Sequence, residues 1–81
     1  MQIHSLLREV VVLGMTGKSR TALHEDKARG LFVKPVQIGE RAVAYPAHEV
    51  DAINRARIAG KGDDEVRALV ESLHAARRQI A

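Results

Sequence analysis

Apolar positions along this chain recur with two periods, and the change of period separates its parts. Val66, Leu69, Val70, Leu73, Ala76 and Ile80 follow the spacing of one helical face, with Arg67, Glu71, Ser72 and Arg78 largely elsewhere. Asp63-Asp64-Glu65 at the start and Arg77-Arg78 near the end suit the helix macrodipole, so a helix is expected over 63–80, capped by Gly62 or Asp63. Upstream, Lys34–Ile38 and Arg41–Tyr45 read as two short strands around a two-residue Gly39-Glu40 loop. That hairpin sets Val36 opposite Val43 and Ile38 opposite Arg41, with Gln37, Ala42 and Ala44 on the other face. Pro46 suits the first turn of a helix to about Ala59, whose buried stripe is Val50, Ile53 and Ala56 or Arg57.

The first third is less regular. Leu6 to Leu13 contains three consecutive valines and reads locally as a strand, because β-branched side chains fit a pleated surface better than a helix. Thr16-Gly17 ends it. Ser19 then caps a helix over about 20–29, which stops where Gly30 supplies a left-handed position. The core residues expected on this pattern are Leu23, Val36, Ile38, Val43, Tyr45, Val50 and Ile53.

Composition narrows the function classes. With 81 residues and 2% aromatics, the chain has room for one small core and no multidomain enzyme. There is no cysteine, which removes disulfides, thiolate metal sites and cysteine nucleophiles and fits a reducing, cytoplasmic setting. An apolar run such as Val10–Leu13 is far too short to span a bilayer, and Met1-Gln2-Ile3-His4 has neither the basic nor the apolar region of a secretory leader. No membrane partner is expected. The net charge is +3, and it resides in residues 1–58, which hold nine bases and six acids. That excess favours approach to nucleic acid without demanding it.

Catalytic and metal patterns are missing. His4, His24, His48 and His74 are scattered one per element, none with a second ligand at metal-binding spacing. Glu25-Asp26 and Asp63-Asp64 are adjacent, so on a helix their side chains diverge and neither pair suits acid–base work. Gly17-Lys18-Ser19 has the ending of a phosphate loop but not its upstream glycine, which excludes a nucleotide hydrolase. No enzyme, metal, cofactor or small-molecule substrate is expected.

Thr16-Gly17-Lys18-Ser19-Arg20-Thr21 followed by a hairpin is of another kind. The start of the second helix of a helix-turn-helix enters the major groove, where Lys, Ser, Arg and Thr reach phosphates and base edges together. A hairpin just after it serves as a wing. The order Leu6-Leu7-Arg8-Glu9-Val10, Thr16-Gly17-Lys18-Ser19-Arg20, Lys34-Pro35-Val36-Gln37-Ile38-Gly39-Glu40-Arg41-Ala42-Val43, then Tyr45 with Glu49-Val50-Asp51-Ala52, resembles the AlpA-type prophage regulators. These are excisionase-like winged helix-turn-helix DNA-binding proteins related to the MerR DNA-binding domain. The resemblance spans about residues 6–58. It implies that Arg8 to Leu13 opens a helix despite its valines, that the helix after Ser19 reads DNA, and that the Gly39-Glu40 hairpin is the wing.

The expectation is therefore a small α+β winged helix-turn-helix domain over 1–60, with an added amphipathic helix over 61–81. Its partner is double-stranded DNA, contacted by Lys18, Ser19, Arg20, Thr21, His24, Lys34, Gln37 and Arg41. Its role is that of a transcriptional regulator or excisionase-type factor. The stripe Val66 to Ile80 calls for a covering surface, hence a homodimer through 63–80. A rival reading, kept open by Glu25 and Asp26 on the reading helix, is a protein-interaction module that docks a partner through the C-terminal helix.

Overall fold

A computed structural model describes residues 3–80; Met1 and Gln2, on which the expectation of no secretory leader partly falls, and Ala81, the end of the expected 61–81 segment, lie outside the described residues. The chain runs β1 (Leu6–Leu7), α1 (Glu9–Thr16), α2 (Arg20–Ala28), β2 (Val36–Gln37), β3 (Val43–Pro46), α3 (Ala47–Ile58), α4 (Asp63–Ala76) and a 3₁₀ turn, Arg77–Gln79. It is a small α+β winged helix-turn-helix with an added C-terminal helix. The sheet has the order β1-β3-β2, both pairs antiparallel.

Both readings of residues 6–13 hold, over different stretches. Leu6 and Leu7 form a strand, paired with Pro46 and Tyr45 of β3. Arg8 is extended and serves as the N-cap, its carbonyl accepting from the Val11 and Val12 amides, and the valines that follow are helical. Only Val12 reaches the core; Val10 is 69% exposed. Tertiary burial of one valine, with a helix start at Arg8, outweighs the β preference of three.

The turn between α1 and α2 is Gly17-Lys18-Ser19. Gly17 takes φ +70, a left-handed value that costs a side-chain-bearing residue, and donates its amide to the Leu13 carbonyl at 2.9 Å. Ser19 Oγ accepts the Ala22 amide at 3.1 Å. Gly30, at φ +75, closes α2 as expected, and the Leu31 amide returns to the Asp26 carbonyl at 2.8 Å.

The hairpin is built one residue out of the expected register. Val36 pairs with Ala44 and Gln37 with Val43, and the Ile38 amide donates to the Ala42 carbonyl, so the loop is Gly39-Glu40-Arg41. A two-residue loop with glycine first requires positive φ at that glycine, and Gly39 does not adopt it. A one-residue slip exchanges the faces of a strand. Ala44 is therefore buried, while Val43 and Ile38, expected in the core, are 44% and 46% exposed.

The core joins Val12, Leu23, Tyr45, Val50 and Ile53 to Leu31, Phe32 and Val33, a buried run outside any regular element. Phe32 meets Tyr45 edge to face, ring centres 5.7 Å apart. Val66 and Val70 of α4 are in the same core, with Leu69 and Leu73 packed against it. Val66, Leu69, Val70 and Leu73 are thus covered by their own chain, while Ala76 and Ile80 are exposed, so most of the packing reason for a homodimer through 63–80 is gone. The α-helix ends at Ala76, short of the expected 80, and Ile80 is half-exposed beyond the 3₁₀ turn.

The last turn is held by a buried ion pair. Glu49, 1% exposed in the first turn of α3, accepts from Arg77 Nε at 2.9 Å and Nη2 at 2.7 Å; Nη2 also donates to the Lys34 carbonyl at 2.6 Å. The Lys34 amide donates to His74 Nε2 at 3.0 Å. Burial, and then the Arg77 charge, hold the His74 imidazole below its ordinary pKa, with Lys34 adding and Glu49 opposing. The neutral form is the one that can accept that amide.

Candidate nucleic-acid interface

The helix expected to read DNA begins at Arg20, the first residue after its cap, so this side chain projects from the N-terminal end of α2. Its Nη1 donates to Glu9 Oε2 of α1 at 2.6 Å, yet the Arg20 side chain is 71% exposed. Thr21 and His24 are exposed on the same helix. Ser19 spends its hydroxyl oxygen on the cap. Lys18 lies 2.8 Å from Asp26 Oδ2, an ion pair without an aligned hydrogen bond to that oxygen. Asp26 of α2 is therefore partly neutralised from within the chain.

In the wing, Gln37 Nε2 donates to the Glu40 carbonyl at 3.2 Å and braces the loop, while Arg41 stands exposed in that loop. Lys34 has an exposed side chain, and its backbone is fastened to His74 and Arg77. Among the described residues, Arg8, Lys34, Arg41 and Arg78 are the cations without a carboxylate partner within ion-pair distance. Three of them belong to the helix-turn-helix and wing.

Of the expected contact residues, Arg20 lines a cleft of about 490 Å³ between α1, α2 and β3, with Arg8, Glu9, Val10 and Val43. The cleft joins α2 to β3 of the hairpin. Sequence reasoning did not place Arg8, Glu9 or Lys27 beside Arg20, whereas Tyr45 is buried in the core as expected. Lys27 Nζ lies 2.7 Å from the Tyr45 hydroxyl, 5.3 Å from its ring centre and 3.9 Å from Glu9 Oε1, tying α1 and α2 to the root of the wing. Glu9 and Arg20 are eleven positions apart across a turn, so no helical periodicity announces them.

The family model described as "Prophage CP4-57 regulatory protein (AlpA)" matches residues 5–57. The chain belongs to the AlpA family. AlpA proteins are regulators of the DNA-binding type, and the matched span covers β1 through nearly all of α3, leaving α4 outside. No curated protein and no solved structure matches the chain. His4, one residue before the matched span, and His48 within it lie near each other, ring centres 5.0 Å apart and edge to face. No group of three or more potential ligands is placed for a metal among the described residues. No helix among them is long and apolar enough to cross a membrane.

Proposed function

We propose that this AlpA-family chain is a sequence-specific double-stranded DNA-binding regulator of a phage or mobile element, acting in transcription or as an excisionase-type factor. In this reading α2 enters the major groove with Arg20, Thr21 and His24, while Arg41 of the wing contacts the sugar-phosphate backbone. The supporting observation is the shared cleft: Arg20 at the tip of α2 and Val43 of the wing border one concavity, with Arg8 at its edge. Residues 1–60 carry the DNA-binding role, and α4, within 61–81, adds Val66 and Val70 to the core. Lys18 and Lys34 supply backbone charge, whereas Ser19 and Gln37 act indirectly by shaping the helix start and the wing loop.

Titration of labelled duplex DNA at two salt concentrations tests the reading, since every phosphate neutralised releases counterions and steepens the salt dependence. Arg41→Ala is expected to weaken binding to all sequences alike and to flatten the log–log salt slope by about one unit. Absence of duplex binding by the wild type at low salt removes the DNA reading and leaves the protein-interaction module.

A further inference from the structure

One member of the cluster at the start of α2 opposes the role of its neighbours. Glu9 places a carboxylate among Arg8, Arg20 and Lys27. A carboxylate there repels phosphate, so affinity does not account for it, and its place in the first turn of α1 suits the helix dipole without calling for a contact to Arg20. Its geometry suits another task. The Glu9 side chain is 28% exposed against 71% for Arg20, so the anchored end of the pair is sheltered while the guanidinium reaches into solvent. Lys27 Nζ, 3.9 Å from the second carboxylate oxygen and 2.7 Å from the Tyr45 hydroxyl, holds Glu9 from the other side. Arg20 is engaged through Nη1. The edge formed by Nε and Nη2 stays open, and two parallel N–H donors on one edge are the pattern that matches guanine O6 and N7 in the major groove.

We propose that Glu9 is a positioning residue for base readout: it grips Arg20 by Nη1 so that the Nε–Nη2 edge is presented to a guanine. The inference rests on the DNA-binding reading above and deepens it by naming the base and the residue that aims the reader. Glu9 lowers sequence-independent affinity and raises discrimination, because an arginine already held in one geometry loses little freedom on binding its base.

The experiment selects duplexes from a pool with a randomised core using the wild-type protein. It then measures affinity for the best duplex and for the same duplex with each guanine·cytosine pair replaced in turn by adenine·thymine. The wild type is expected to prefer guanine at one position by roughly ten- to a hundredfold. Glu9→Gln is expected to bind unselected duplex about twofold tighter while its preference at that position falls by roughly three- to tenfold. In an Arg20→Ala background, Glu9→Gln should leave the preference unchanged and still tighten unselected duplex. Arg20→Lys keeps the charge and lacks the fork, and should lose the preference as fully as Arg20→Ala, which provides a readout if Glu9→Gln proves poorly folded. A Glu9→Gln protein that binds all duplexes more tightly with its preference intact overturns the proposal and makes Glu9 a simple electrostatic brake. Wild-type binding to duplex with no selected sequence also overturns it but spares non-specific DNA binding; no duplex binding at all removes both.

Discussion

Two arginine–glutamate pairs join distant parts of this chain, Arg77 with Glu49 and Arg20 with Glu9, and they differ in almost everything but chemistry. In the first, Nε and Nη2 of one guanidinium meet both carboxylate oxygens, the carboxylate is 1% exposed, and the same Nη2 closes on the Lys34 carbonyl. In the second, a single Nη1–Oε2 contact leaves most of the guanidinium in water. Burial makes the first pair hard to break, because either partner left alone is an uncompensated charge in a poor dielectric. Exposure makes the second a minor contributor to folding stability, because water replaces whatever is lost when it is removed. One pair serves as a clasp for the C-terminal turn. The other leaves a reactive edge free at the surface where the proposed partner arrives.

Breaking the clasp gives the largest effect. Arg77→Ala is expected to cost about 3 kcal/mol of folding stability, read as a lower urea midpoint, since it strands the Glu49 carboxylate. Adding Glu49→Leu to that variant should recover part of the loss by removing the stranded charge; no recovery would mean that Arg77 acts by packing alone. Arg20→Ala separates the two regions in the other direction. It should cost under about 0.5 kcal/mol of stability but about 1–3 kcal/mol of binding to the selected duplex. Equal losses in the two assays would erase the contrast.

The smallest effect is a pH dependence confined to the clasp. His74 titrates below its ordinary value in the fold because it is partly buried beside Arg77, so between that lowered value and the unfolded one near 6.5 the unfolded chain binds more protons. Stability should therefore rise with pH through that window, by less than one proton's worth of slope, and reach its full value above it. The contribution is lost as pH falls through the lowered value, where protonated His74 can no longer accept the Lys34 amide. The difference between wild type and His74→Gln, followed by thermal melting across the window, isolates this group from the other titrating residues. A pH-independent difference would detach His74 from the clasp.

The elements themselves were largely legible, because their signals are local. The Ser19 cap, the left-handed Gly30 and the 3.6-residue stripe of Val66, Leu69 and Val70 each specify backbone or burial within a few residues. Where local signals compete, they decide less. The valines of α1 favour a strand, and only the pairing of Leu6–Leu7 with β3, together with the burial of Val12, settles where strand gives way to helix. The hairpin was legible as a hairpin but not in register, because a loop of two or three residues looks alike in sequence and the choice is made by what Ala44 and Tyr45 must bury.

The interface divides in the same way. Residue type and helix position nominated Arg20, Thr21 and His24 at the start of α2 and Arg41 in the hairpin loop as candidates, and the fold leaves all four exposed. Which cations are already occupied was not readable, because an ion pair depends on where the fold brings side chains that lie far apart in the chain. Lys18 with Asp26, Arg20 with Glu9 and Arg77 with Glu49 are separated by 8, 11 and 28 positions. Periodicity and capping act over one or two helical turns, so they build helices and choose their faces. Pairing of charges, strand register and the placing of α4 in the common core are set by packing between elements, and only the assembled fold contains that information.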